Sequence, residues 1–304
     1  MDNNVNFKEM KKKMMISKVL LGIGITFAVL GYLSYKLAGF GFGILFMLVG
    51  FGLAIIGGKF NNDFKNDFRD EVMIPTIQSL FPNSTFVVYM DDKRITEPFK
   101  KLGMIRRDTC ERITNLLAIE TGGHLLNEFS CEEYHEVPNP KGGVNTIYTY
   151  KGTEFRYDYA TNIDGVVRIL ASHKRKLSNS EKTFLPKECT LTPEKIETGN
   201  IELDEGFEIF ASSQHIGFFV LNSTVIEKIK LFREKYGDFG LAITNDELFI
   251  AFDGVDRFIK LPDKVSQINE GAFKNAKDQI YEIVDMLNDI GYAISKHVEK
   301  ENII

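Results

Sequence analysis

The 304-residue chain has no tryptophan, eight prolines and three cysteines, while phenylalanine is common at 25 residues. Cys110, Cys131 and Cys189 are odd in number and widely spaced, so they form neither a disulfide framework nor a CxxC pair. Unpaired thiols suit a reducing compartment, and each is read as a small buried hydrophobe. Charge is missing in a more informative way. Met14–Leu33 holds one charged residue, Lys18, near its start, and Phe40–Ile56 holds none. No Asp, Glu, His or Arg lies in either run, which removes the polar groups that carriers and channels place inside a membrane. The glycines around Phe40 (GFGFG) lack the preceding strand and the partner Lys or acid of a phosphate loop, which excludes a nucleotide site there.

The net charge of −5 hides a split. Residues 1–60 carry seven Lys against Asp2 and Glu9, a net of +5, so the remainder carries −10. An acidic domain lacks the basic face that nucleic acid requires. Broad adhesion of that domain to anionic lipid is excluded on the same ground. Basic charge sits beside the apolar runs.

A helix crosses about 30 Å of hydrocarbon with roughly 20 apolar residues. The two runs therefore predict a transmembrane hairpin over residues 1–59, with spans at about 14–34 and 40–57 joined through Ser34–Gly39. A cleaved signal peptide is excluded by the length of the first run and by the second run that follows at once. Lys8, Lys11, Lys12 and Lys13 flank the entry, Lys59, Lys65 and Arg69 flank the exit, and the turn holds only Lys36. The positive-inside rule then puts both termini in the cytoplasm of a cell-membrane protein. Small residues four apart, Gly24 and Ala28, Gly39 and Gly43, and Gly50, Ala54 and Gly58, let the two helices approach closely.

Residues 60–304 read as a cytosolic α+β domain, with possible lobes at 60–172 and 200–292. Phe60, Phe64, Phe68 and Val72, spaced by four, predict an amphipathic helix continuing the second span, its stripe facing the core or the membrane surface. Pro75 is placed to kink or end it. Strands are predicted at Thr85–Met90, Arg112–Glu120, His124–Val137, Asn145–Tyr150, Thr153–Tyr159, Val166–Ala171, Gly206–Ala211, Leu241–Thr244 and Leu248–Phe252. Their connections are too short for parallel crossovers, so the sheet is antiparallel. Thr96 reads as the N-cap of a short helix with Pro98 in its first turn. Residues 173–200 read as a polar linker or long loop. A helix over Val225–Tyr236 follows Asn222-Ser223-Thr224 and stops at Gly237. Phe273, Ala276, Ile280, Ile283, Val284, Leu287 and Ile290 mark a long amphipathic helix.

Several stretches are similar to a bacterial family known only as domain of unknown function 3137. They are IPTIQSLFP after the anchor, TYKGTEFRYDY as a strand pair around Gly152, IELDEGFEIFASSQHIGFFVLNSTVIEKIKLF, LAITNDELFIAF and the closing helix. The resemblance spans about Pro75 to Ile290. Glu154 departs from it, standing where the pattern expects an apolar residue. The resemblance implies a membrane-anchored bacterial protein and implies no reaction, cofactor or functional residue.

The best polar cluster is His124, Cys131 and His135 with Glu132 and Glu133. Cys131 and His135 share a strand face, so they read as a nucleophile and its base, as two zinc ligands, or as a packed Cys beside a solvated His. Zinc needs three or four ligands, and His173 and His215 are isolated. Asp91-Asp92 and Glu202-Leu203-Asp204-Glu205 could bind a cation or act as general acids, but adjacent strand residues point to opposite faces, so they read as solvated turns. His173-Lys174-Arg175-Lys176 reads as a solvated loop, or as a contact for anionic lipid or for a partner's acidic face. No catalytic, metal or cofactor-binding residue is assigned. The function expected is a membrane-anchored binding or scaffold protein whose partners are the bilayer and an unidentified membrane or cytosolic protein. The alternatives are a membrane-bound enzyme using Cys131/His135 and a lipid-handling or transport accessory subunit.

Overall fold

The computed structural model describes residues 6–38, 40–90, 92–105, 108, 110–140, 142–171, 194–254, 262, 264–269 and 271–301. They fall into two compact units, one drawn from Met1–Pro82 and Ile259–Ile280, the other from Asn83–Phe258 and Tyr281–Ile304. Cys189, the basic run 173–176 and Asp91 lie outside the described residues, as do the side chains of Phe273 and Ala276.

The first unit is built on α1 (Phe7–Ala38) and α2 (Phe40–Phe68). The residues expected to form a turn, 34–38, extend α1 instead, because nothing in Ser-Tyr-Lys-Leu-Ala breaks a helix. Both helices are long and apolar enough to cross a membrane. Their seam is made by small residues. A Cβ on Gly24 would lie 2.8 Å from Gly50 O, and one on Gly50 would lie 2.7 Å from Ala28 N. Gly31 meets Gly43 O and Met47 in the same way, whereas Gly58 faces open space. Past the apolar runs, Phe64, Phe68 and Val72 pack with Met10, Met14, Ile268 and Ala272. From Phe64 onward the stripe is therefore core, while Phe60 stays half-buried.

Pro75 does not end the helical path. A π-helical turn, Arg69–Met73, precedes α3 (Ile74–Leu80), and Ile74 N–H donates to Arg69 O. The wider turn shifts the bonding pattern just where proline has no N–H to give and its ring would crowd the carbonyl four residues back.

The second unit is a nine-stranded, wholly antiparallel sheet in the order β1-β2-β3-β4-β9-β8-β5-β7-β6. The strands are β1 (Thr85–Met90), β2 (Cys110–Thr121), β3 (His124–Pro138), β4 (Val144–Asp158), β5 (Val167–Ala171), β6 (Glu194–Ile196), β7 (Phe207–Ala211), β8 (Gly240–Ile243) and β9 (Glu247–Asp253). Strands from 60–172 and from 200–292 alternate in it, with β4 bonded to β9 and β5 lying between β8 and β7. The fold class is thus α+β. The turn between β2 and β3 is Gly122-Gly123, both at positive φ (59° and 83°) as a tight hairpin demands.

One sheet face is covered by α4 (Glu97–Lys101) and the segment after it. Phe99, Leu102, Met104 and Ile105 pack there on Ile113, Phe129, Cys131 and Phe249. The opposite face presents Phe155 and Phe252 to Phe232 of α7 (Ser223–Tyr236) and to Phe239. On that side α8 (Gly271–Glu301) docks through its Tyr281–Glu301 part. Lys228 and Lys235 pair with Asp289 and Glu282, and Gly291 leaves room for the Tyr159 ring, which a Cβ would meet at 2.6 Å.

Two expectations within this unit are corrected. The strands foreseen at 145–150 and 153–159 are one strand, β4, which runs straight through Gly152. The region 173–200 is not all linker, since β6 pairs with β7. Two short helices also escape a periodicity reading, α5 (Ile201–Gly206) and α6 (Gln214–Val220), capped by Asn200 and Ser213.

Candidate functional site

Strand alternation puts Phe129, Cys131 and Glu133 on the α4-covered face of β3. Cys131 lies opposite Ile113 on β2 and Gly152 on β4, and Glu133 lies opposite Glu111 and Tyr150. A carboxylate on an inward stripe needs a cation, and Lys100 of α4 supplies it. Its Nζ stands 2.6 Å from Glu133 Oε1 and 3.0 Å from Glu111 Oε1, with all three side chains at most 6% exposed. Thr96 Oγ1 donates to Lys93 O at 3.0 Å and bonds Glu111. It does not cap α4 with its side chain, contrary to the expectation from its position.

A bulge opposite Glu133 and Tyr134 leaves Thr149 as an extra residue in β4. Thr149 Oγ1 donates to Asp108 Oδ2 at 2.8 Å, His135 Nδ1 lies 2.9 Å from the same oxygen, and Asp108 N–H donates to Glu133 Oε2 at 3.1 Å. A polar chain thus runs from half-exposed His135 through Asp108 to the buried Lys100 pairings. Glu154, the departure from the family pattern, is fully buried on the same face, opposite Phe129 and Ala251.

Burial sets the electrostatics. It pushes Glu133 up to about 7, against the opposing pull of Lys100. It also works to lower Lys100, but Glu133 and Glu111 outweigh it and the ammonium is held above its ordinary value. Cys131 is raised far above a usual thiol, first by burial and then by Glu154, Glu133 and Glu111. A nucleophile needs the thiolate, and this environment keeps the proton on sulfur. His135 points its Nδ1 to Asp108. Glu111, Cys131 and Glu133 offer ligand atoms within 4.8 Å of one another. The Lys100 ammonium already stands between the two carboxylates, in the place a cation would take.

The other singled-out residues are dispersed. His124 stacks on Tyr159 at 4.6 Å and bonds Asp158 O. Glu132 faces the opposite way, to Lys151 at 2.5 Å and Arg112 at 3.4 Å. His215 is exposed on α6 near Phe219. Asp92 accepts from Arg94, which holds its carboxyl down at about 2. Asp204 is a loop staple, accepting from Thr198 N–H, Thr198 Oγ1 and Gly199 N–H. Lys100, Glu111 and Asp108 were not legible as partners, because they come from other elements. The available signal was Glu133 following Phe129 and Cys131 on one stripe of β3.

The second feature that bears on function is the surface of the α1/α2 pair. Leu37 (87%), Phe42 (75%), Ile55 (72%) and Leu48 (64%) are exposed, and many other large apolar side chains along both helices are exposed with them.

No curated protein matches the chain. Among solved structures, the crystal structure of the mycobacterial trehalose monomycolate transport factor A, TtfA, aligns with 71% of this chain and 92% of its own, at 7% identity and a TM-score of 0.39. The family model of "Protein of unknown function (DUF3137)" matches residues 148–295, from Tyr148 in β4 through most of α8. IPTIQSLFP lies outside that match, while the four other stretches fall within it or at its edges. Through this segment, 148 of its 304 residues, the chain is similar to the DUF3137 family.

Proposed function

We propose that this protein is a membrane-anchored binding or scaffold module, held in the cell membrane by α1 and α2 with both termini and the sheet unit in the cytoplasm. The supporting observation is the apolar surface of the helix pair. A water-soluble protein seldom exposes a continuous patch of this kind, and hydrocarbon is the solvent that suits it. Lysines crowd the end that carries residues 8–13 and 59–65, against Lys36 alone at the other, which supports the cytoplasmic placement. Tethering confines the sheet unit to two dimensions and raises its effective concentration toward other membrane proteins. Burial of Cys131, which raises its thiol far above the usual range, speaks against the Cys131/His135 nucleophile reading.

Two measurements test the proposal. A Glu202→Cys variant, with the native cysteines replaced, should resist an impermeant maleimide in whole cells and react after lysis. Labelling in intact cells reverses the orientation. Crosslinking in native membranes should capture discrete protein partners; a chain that crosslinks to nothing above background is not a scaffold.

A further inference from the structure

A depression of about 350 Å³ opens on the first unit, where the helix pair leaves its apolar run. Its walls differ in chemistry. Lys8, Lys12 and Lys13 line one part with Asn6, and Ile16 and Phe60 line another. Glu9 also borders it, paired at 3.5 Å with Lys13, whose Nζ is held more tightly by Asp67 at 2.6 Å. Neither Lys8 nor Lys12 has an ion-pair partner among the described residues. Two unspent positive charges therefore face a cavity whose remaining wall is apolar.

Depth decides what such a cavity meets. Lys18 and Lys59 end the uncharged runs. Ile16 lies just beyond Lys18, and Lys12 lies four residues further, about 6 Å along a helix. Headgroup layers are roughly 5–8 Å thick on each side of the hydrocarbon. Ile16 and Phe60 thus sit at the hydrocarbon boundary and Lys12 at phosphate level. We infer that this depression binds the phosphate headgroup of an anionic phospholipid of the same leaflet, with Lys8 and Lys12 on the phosphate and Ile16 and Phe60 against the first carbons of the chains. The inference rests on the membrane reading of α1 and α2. The shared chemistry is a phosphate anion; the apolar wall favours a lipid over free inorganic phosphate.

The test uses the full chain, purified in neutral detergent, with adducts counted by native mass spectrometry. Phosphatidylglycerol, phosphatidylcholine and inorganic phosphate are offered in turn. Wild type should retain phosphatidylglycerol over phosphatidylcholine, and K8Q/K12Q should lose that preference by roughly fivefold per lysine, about thirty-fold for both. K8R/K12R, which keeps the charge, should retain it. Equal retention of the two lipids by wild type, or an unchanged preference in K8Q/K12Q, overturns the inference. So does displacement of phosphatidylglycerol by millimolar inorganic phosphate, which would mark a free-anion site. Flotation of both proteins with vesicles separates the outcomes. A wild type that floats yet shows no preference loses only this site, whereas one that stays in solution without detergent loses the anchor as well.

Discussion

Glu133 shows how one side chain can tie stability to pH. Its folded value is pushed up to about 7 from an ordinary 4.5, so the folded protein holds a proton there that the unfolded chain has released. Folding is then favoured by acid through this group. Its contribution is complete below about 4.5, declines as pH rises and is gone above about 7. The size is at most about 3 kcal/mol, from 1.36 kcal/mol per unit. Urea titrations of the full chain in detergent between pH 5 and 8 should show that decline, and Glu133→Gln should flatten it. An unaltered slope in the variant would assign the linkage elsewhere. Lys100→Met should be severe, because it leaves Glu111 and Glu133 buried without their cation, a loss of about 3–5 kcal/mol. At this scale the sequence was half legible. Cys131, Glu133 and His135 were singled out by type and spacing, but Lys100 lies 33 residues before Glu133 and one amphipathic turn of helix looks like any other. Glu154 was legible only as a misfit. Its burial shows that the misfit is a real interior carboxyl rather than a shifted strand.

Among the elements, β4 repays the closest argument. A glycine within a strand reads as a break, and so Gly152 divided the region in two. The same residue type also marks close backbone approach, and that is its role here. A Cβ at Gly152 would lie 1.9 Å from Phe252 O and 2.7 Å from Tyr150 Oη. Its φ lies outside the left-handed region, so the demand is for room alone. Gly152→Ala should therefore lower stability by about 1–3 kcal/mol, read as a fall in the urea midpoint; an unchanged midpoint would show that β9 yields freely. Helix α7 was legible from its ends, with Asn222 accepting from Thr224 and Val225 N–H groups and Gly237 at φ 84°. The helix α6, seven residues long, spans under two turns, too few to display a period, and β6 at three residues carries no alternation to read.

For the whole molecule the deciding question is which solvent α1 and α2 face. A hairpin buried in a soluble core would have most of its apolar length covered, yet only 22% and 17% of the two most apolar windows is buried. Exposure alone does not identify the solvent, and the chain contains its own control. Phe51 on α2 is 63% exposed and Tyr89 on β1 is 62% exposed. If both faced water, arginine at either position would be harmless, since a charged side chain on an aqueous surface costs almost nothing. If Phe51 faces hydrocarbon, Phe51→Arg costs about 2.5–3.5 kcal/mol of insertion free energy, while Tyr89→Arg costs nothing comparable. The fraction of chain resisting alkaline carbonate extraction should fall sharply for the first and stay at the wild-type level for the second. Equal behaviour of the two variants would put both residues in water. That result would remove the basis for the anchor, because two side chains of the same exposure would then have been shown to share the same surroundings.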